Sequence, residues 1–555
     1  MKRRSFIKNI SVGTAGALTL GGIPVNILAA NSRLAQAALN SSNDNVLIFI
    51  QLHGGNDALN TLIPVSQYNE YYSYRENIAI PDYGPRSYIN LDESIDETSQ
   101  IGLHPDMKDF KTLYDQGKAI VVQNVGYPGM NMSHFRGRDL VFMGLDGNSD
   151  TDNSIPESHL RSGWMGRFLD EEYPNYPDDY PSTEMPDPIA IEMGTAMSLA
   201  FHRSDNIPIG LNIDSPQAFY DLINSVDDLT LPDYNPGGYA GNELEYLWQF
   251  EGMTREYAGR LRDVYDAGSE TTIDYRTQYP LPTSSIYRNN PLAGQLKLIA
   301  RLLGGGIKTR IFLCRIGGFD THANQVEGDD STLGIHSALL YHLSSSIKDF
   351  QDDLAARQLE DKVLTMTFTE FGRRVYANES YGTDHGTSTP VFIFGKALDG
   401  KVIGKNPDLS NLVSGNMVYD IDYRQIYTRI VLDWFGADEA TMQETGFSEW
   451  VDSSLALFAP TSLEKQIIGK NGALHRCWPI PATDYITIGF FLERISDVEI
   501  TIYDSTGKQL FRSIFKGLHY GPHKVTEDIS SLSSGNYIYK IKSKSLNESN
   551  QFIVK

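Results

Sequence analysis

Residues 363–395 read VLTMTFTEFGRRVYANESYGTDHGTSTPVFIFG. The run Val363 to Phe368 is apolar and β-branched, the composition of a buried strand. Glu370 stands just past its end, followed by Gly372, Arg373 and Arg374. A polar loop carries Asp384, His385 and Gly386, and a second apolar run, Val391 to Phe394, closes on Gly395. Carboxylate, guanidinium and imidazole groups thus gather between two core strands. In open α/β sheets, binding sites form at such strand ends. This stretch is therefore expected to be one wall of an active or binding site.

Three earlier stretches repeat the layout. Val46 to Leu52 (VLIFIQL) runs into His53, Gly54, Gly55, Asn56 and Asp57. Ala119 to Gln123 leads through Asn124 to Pro128 and on to Met132, Ser133, His134, Phe135 and Arg136. Thr309 to Ile316 runs into Gly317, Gly318, Phe319, Asp320, Thr321 and His322. Pro188 to Met193 is a further strand, and helical periodicity marks 104–118, 163–169, 243–268, 292–303 and 331–358. On the last helix His336 is placed towards the site and His342 towards solvent. The alternation predicts an α/β fold with a mainly parallel, doubly wound sheet and helices on both faces. Each polar motif has a plain structural reading on its own. Asp57 caps a helix or makes a turn, Ser133 is an N-cap beside a structural His134, and Asp320 and His322 are loop residues. Four such loops in phase at one sheet edge read as a single site.

The 555 residues carry a formal net charge of −23. That acidity excludes nucleic acid as a main partner, because phosphate neutralisation needs basic surface. It also excludes broad docking on anionic lipid. A small anionic substrate remains compatible, since a local metal or arginine outweighs the global field. Cys314 and Cys477 are the only cysteines, so no disulfide framework is implied. The first 37 residues hold Lys2, Arg3, Arg4, Lys8 and Arg33 and no acid. Lys2 to Lys8 (KRRSFIK) resembles a twin-arginine export signal. The apolar stretch behind it is broken by glycines and Pro24, and Ala35-Gln36-Ala37 fits a cleavage site. No membrane span is expected in the mature protein.

HGGNDALN, MSHFRGRD, GWMGRFLD, GGFDTHANQ and TEFGRR…GTDHG, in this order over residues 45–458, resemble the DUF1501 family. The resemblance implies the alkaline phosphatase and sulfatase superfamily and its α/β sandwich. It further implies a divalent metal (zinc, manganese or calcium) held by Asp57, Asp320, His322, Asp384 and His385. Ser133 is the implied nucleophile, and Arg136, Arg373 or Arg374 would hold an anionic ester. That superfamily often supplies another histidine after the late Asp-His-Gly. Here no histidine occurs between His385 and His475, so His336, His53 or Glu370 would have to substitute. The implied function is a secreted or surface metal-dependent hydrolase of sulfate or phosphate esters, including sulfated or phosphorylated glycans. The alternative is a non-catalytic binding or scaffold protein on the same fold.

After Pro460 the pattern changes. Short strands of alternating polarity cover Tyr485 to Phe490, Val498 to Tyr503, Gln509 to Ile514 and Tyr537 to Ile541, with a hairpin turn at Asp504 to Lys508. Residues 479–555 are expected to form a small β-sandwich behind a linker at 459–478. The runs at Pro479 to Asp484, YDSTGKQL, Leu532 to Tyr537 and Phe552 to Lys555 resemble the type A sorting domain of type IX secretion. The partners implied are the twin-arginine and type IX machineries. The route implied is export to the periplasm, then passage to the outer surface of a Bacteroidetes-type bacterium.

Overall fold

The computed structural model describes residues 44–458 and 475–555, apart from 178, 195, 225–256, 399–400, 451–454, 493–495, 519–520 and 544–545, with 19–20 and 23–24 also described. The export signal, most of the 459–478 linker and the first half of the 243–268 helix lie outside the described residues. The chain divides into two compact units. The larger comprises Asp44–Tyr427 and Glu444–Gly446; the smaller includes Thr428–Gln443 and Phe447–Lys555.

The larger unit is built on a nine-stranded sheet. Its strands in chain order are β1 (Val46–His53), β2 (Ala119–Gly126), β3 (Ala190–Met193), β4 (Leu211–Ile213), β5 (Ile311–Gly317), β6 (Val363–Phe368), β7 (Thr389–Phe394), β8 (Val402–Ile403) and β9 (Ile421–Asp422). In space the order is β8-β2-β7-β6-β1-β5-β3-β4, with β9 also on β2. Every pairing is parallel except the two made by β7. The reason lies in the opening stretch. A parallel return needs a crossover of a dozen or more residues, usually a helix. The chain between β6 and β7 instead forms a two-stranded hairpin, Gly372–Ala377 with Thr383–Gly386, so it comes back antiparallel. The polar loop expected there is this hairpin.

The helices that matter for the site are α1 (Lys108–Asp115), α2 (His134–Met143), α3 (Trp164–Glu172), α4 (Pro291–Gly304) and α5 (Ile335–Ala356). They cover both sheet faces. Val46, Ile48, Ile50 and Leu52 of β1 share a core with Leu113 of α1, Ile299 of α4 and Leu343 of α5. Phe49, pointing the other way, stacks on Phe368 at 4.2 Å and meets Trp164 of α3 edge-on at 6.1 Å. A strand buried on both sides reads as a continuous apolar run, which is why VLIFIQL was legible. His342 departs from expectation. It is fully buried, and its Nε2 donates to Tyr287 O at 2.8 Å. Helix α5 is packed along most of its circumference, so its apolar stripe did not define a solvent side.

The C-terminal part of the smaller unit is all antiparallel β. Three strands, His475–Trp478, Tyr485–Leu492 and Gly521–Asp528, form one sheet. Gln509–Leu518, Ser496–Asp504, Gly535–Lys542 and Asn547–Val554 form the other, in that order. Ile486, Ile488 and Phe490 from the first share a core with Ile500, Ile502, Tyr539 and Ile541 from the second. Alternation of inward apolar residues makes this a sandwich. Among the described residues, no helix is long and apolar enough to cross a membrane.

Candidate metal centre

Three imidazoles meet one carboxylate on the segments that follow β2, β5 and β6. His134 opens α2 after β2, Asp320 and His322 follow β5, and His385 sits on the hairpin after β6. His385 Nε2 lies 3.3 Å from Asp320 Oδ1, and His134 Nε2 lies 3.3 Å from Asp320 Oδ2. His322 Nε2 is 3.2 Å from Asp320 Oδ1 and 2.9 Å from His385 Nε2. The donor atoms of His134, Asp320 and His385 all lie within 4.8 Å of one another, a grouping that could hold a metal ion.

The opposite nitrogen of each ring is committed elsewhere. His134 Nδ1 donates to Glu370 Oε1 at 3.0 Å, and His322 Nδ1 to Asp384 Oδ1 at 3.1 Å. His385 Nδ1 donates to the carbonyl of Met132 at 2.8 Å. A carbonyl or carboxylate can only accept, so these partners place a proton on Nδ1, and in the neutral ring Nε2 is then a lone pair. Two such lone pairs facing each other at 2.9 Å repel unless a cation or proton lies between them. His134 Nε2 is buried without a hydrogen bond among the described residues. The set therefore fits a cation. Metal-bound histidines are commonly held this way, by an outer carboxylate or carbonyl on the far nitrogen. Phe371, fully buried, lies under the rings of His134 and His385, at 4.9 and 4.5 Å between centroids.

The surrounding charges act differently on each group. Burial works against ionising Asp320, but the Arg373 guanidinium hydrogen-bonds and attracts it, holding its carboxyl down at about 2. The Glu370 hydrogen bond raises His134 above the ordinary imidazole value, against burial. Burial pulls His385 below it. Glu370 is itself fully buried and also accepts from Gly54 N at 2.8 Å. Gly54 has φ +124°, and a Cβ there would meet Asp320 N at 2.3 Å. Only glycine allows this approach of the β1 loop to the β5 loop. Replacing Glu370 by glutamine should leave the fold intact and weaken metal binding by about 10–100-fold, read by chelator competition. Unchanged affinity would show that the outer carboxylate plays no part in holding His134.

The other expected residues stand differently. Asp57 is not in the cluster. It is 1% exposed, and its carboxylate is filled by Arg75 Nη1 at 2.8 Å, Gln325 Nε2 at 2.6 Å and the backbone N–H groups of Leu59 and Asn60. Burial opposes its ionisation, and Arg75 holds it below the usual carboxylate range all the same. Its capping role is the realised one. Through Gln325, whose Oε1 accepts from Thr321 at 2.9 Å and Thr383 at 3.0 Å, it braces the residues that flank Asp320, His322 and Asp384. Asp384 likewise orients His322 rather than joining the group. Arg373 is fully buried, with its N–H groups taken by the carbonyls of Gly54, Gly55, Phe319 and Thr383 and by Asp320. Buried among these acceptors, its guanidinium is not presented to an ester. Arg136 pairs with Asp150, and Arg374 donates to Ser414 O. Ser133 occupies the N-cap position of α2 but makes no cap hydrogen bond. It is flanked by Met132, which anchors His385, and by His134.

His134, which read on its own as a structural histidine, joins the group that could hold a metal ion. Of the residues named as substitutes for a late histidine, Glu370 orients it, His53 stacks beside it at 6.2 Å, and His336 is buried against Asn56. The available signal was its place in a third loop in phase with the others.

Among solved structures, the chain is similar to a protein in the alkaline phosphatase superfamily from Vibrio parahaemolyticus, with 10% identity, TM-score 0.34 and 84% and 82% of the two chains covered. It is also similar to a sulfatase, PsFucS1, from Pseudoalteromonas sp., with 10% identity, TM-score 0.29 and 88% and 85% covered. At these values the likeness carries no argument about activity. No curated protein matches the chain. Residues 476–555 match the model of a secretion system C-terminal sorting domain, an ending that marks export to the cell surface or extracellular space. Residues 44–422 match the model described as "Protein of unknown function (DUF1501)", and the chain belongs to that family.

Proposed function

We propose that this protein is an exported, metal-dependent hydrolase of sulfate or phosphate esters. The observation that carries the reading is the set of three imidazoles whose Nδ1 protons are all given to fixed acceptors, leaving Nε2 converging on Asp320. His134, Asp320, His322 and His385 would hold the ion. Nitrogen donors with one carboxylate suit zinc or manganese; calcium, which takes six to eight oxygens, fits least. When bound, such an ion offsets the negative charge of an ester and favours the ionised form of a nearby hydroxyl.

The chain's own groups supply the rest. Ser133 would be the nucleophile: its Oγ, its proton given up to solvent, would attack phosphorus or sulfur as the ester oxygen departs and takes up a proton to leave as the alcohol, and water would then cleave the seryl ester, releasing phosphate or sulfate and restoring the serine. Its hydroxyl, which makes no cap hydrogen bond at the start of α2, supports that role. Arg373 keeps Asp320 ionised and aimed. Glu370, Asp384 and the Met132 carbonyl hold the three rings in one tautomer, so no reorganisation is needed as charge develops. The twin-arginine segment and the type IX route complete the proposal, delivering the protein through the periplasm to the outer surface.

The test is elemental analysis of the purified chain together with a panel of aryl sulfates and aryl phosphates. Turnover should require a divalent ion, stop on chelation and fall by at least about 100-fold in Ser133→Ala with the ion retained. A chain that binds no ion, or whose Ser133→Ala variant keeps full turnover, would sink the reading. A chain that holds an ion and a ligand but turns over nothing would favour the scaffold alternative.

A further inference from the structure

The cluster has open ground on one side. Gly317, the last residue of β5, is exposed, and beyond its chain neighbours a Cβ there would meet no described residue within 4 Å. Its register partner is His53, whose half-buried ring stacks beside His134 at 6.2 Å. The open space therefore adjoins the cluster on the sheet face that carries His53. Residues two apart on a strand share a face, so Arg315 of β5 projects to the same side, as does its register partner Gln51.

Helix α2 lies over that face. Phe368 of β6 is also a register partner of Gln51, and the Phe142 ring of α2 packs on it at 5.3 Å between centroids. His134, Arg138 and Phe142 are spaced four residues apart and form one stripe of the helix. Arg138 stands on that stripe one turn, about 6 Å, beyond His134. Arg138 and Arg315 thus approach the same ground, one from the helix and one from the sheet. Their fields meet there. Burial pulls the His53 imidazole below its ordinary value, and Arg315, His134 and Arg138 all push it the same way.

Neither guanidinium is fully paired. The Arg138 side chain is 25% exposed and that of Arg315 30% exposed. Arg315 Nε donates to Gln51 Oε1 at 2.9 Å, while Nη1 and Nη2 make no hydrogen bond among the described residues. Glu192 Oε1 stays 3.6 Å from Nη2, beyond hydrogen-bond length, and burial pushes the Glu192 carboxyl up against the pull of both arginines. Arg138 meets Asp139 Oδ1, on its chain neighbour, with Nε at 3.3 Å and Nη2 at 3.1 Å. A part-exposed pair of this kind contributes little and leaves the guanidinium available.

We propose that Arg138 and Arg315 form a subsite for a second anionic group of the substrate, carried on the alcohol side of the ester and held about one helical turn from the cluster. Guanidinium forks suit carboxylate, sulfate and phosphate oxygens alike. The substrate class is then an ester whose alcohol is itself acidic. That role in substrate choice rests on the hydrolase reading above; the binding of a doubly anionic ligand does not.

Isothermal titration of the full chain, supplied with excess manganese, compares phenylphosphonate with its para-carboxy and para-sulfo derivatives. A phosphonate has no ester bond to cleave, so the readout is binding alone. At least one derivative should bind about tenfold or more tighter than phenylphosphonate. Arg138→Met and Arg315→Met should each cut that gain to about twofold or less, since each removes one of the two guanidinium forks. Arg138→Met serves if Arg315→Met fails to fold. No gain in the wild type, binding of no probe, or an undiminished gain in a folded variant overturns the subsite. A gain without turnover of any aryl ester would instead overturn the hydrolase reading and leave the subsite standing. Turnover of aryl esters without a gain would do the reverse.

Discussion

Replacing His134 by alanine is expected to weaken metal binding by more than about 100-fold. Removing an outer carboxylate from a metal-bound histidine already costs about 10–100-fold, and this change removes the nitrogen itself. The remaining imidazoles, His322 and His385, keep their outer partners Asp384 and Met132 O. The loss should therefore be confined to affinity. Side-chain packing supports that separation, since His134 is half-buried beside Phe371 and not part of the main core. Competition with a chelator of known affinity measures the effect, and a thermal melt in chelator checks the fold. Wild-type affinity in the alanine variant would mean that the three other groups, Asp320, His322 and His385, hold the ion without it.

Asp57→Ala should have the opposite profile, a large loss of stability whatever the metal content. The substitution leaves Arg75, whose side chain is fully buried, without its only carboxylate partner among the described residues. Breaking a buried ion pair by removing one member typically costs about 3–5 kcal/mol, because the remaining charge stays desolvated. It also removes the cap from the helix Ala58–Thr61 and the acceptor for Gln325 Nε2. Equilibrium unfolding in urea, performed in chelator, should show the transition of the larger unit moved to lower denaturant. A shift worth less than about 1 kcal/mol would mean that the carbonyls of Arg374 and Val375 and the Asn60 side chain suffice for Arg75. Reduced metal affinity should accompany the loss of stability, since Gln325 links Asp57 to Thr321 and Thr383 beside Asp320, His322 and Asp384.

The two variants mark the division between what could be read along the chain and what could not. VLIFIQL, Thr309 to Ile316 and VLTMTF were legible as strands because each is buried on both faces and so is apolar throughout. Their order implied a mainly parallel sheet, and the sheet placed the loops after them at one edge. Asp320, His322 and His385 were legible for that reason. The antiparallel β7 was not, because apolar content carries no direction. The partners of Asp57 and Arg373 were not legible, because charge in a sequence does not say whether it is already neutralised. Arg75 lies 18 residues from Asp57 in a tyrosine-rich stretch without periodicity, and Gln325 lies 268 residues away. Arg373 spends its donors on carbonyls as far away as Gly54. His134 read as a structural neighbour of an N-cap serine, and nothing local linked it to its partner, Glu370, 236 residues distant.

The order of residues alone thus specified the α/β class, the sandwich at the C-terminus and the four loops that share an edge. These follow from local periodicity, which depends only on near neighbours in the chain. The tertiary structure decided which nitrogen of each imidazole faces inward, which carboxylate meets the imidazoles and which arginine is buried among carbonyls. Those choices depend on hydrogen-bond acceptors and countercharges brought together from distant segments, and burial makes them exacting because an unpaired charge or lone pair there has no water to turn to.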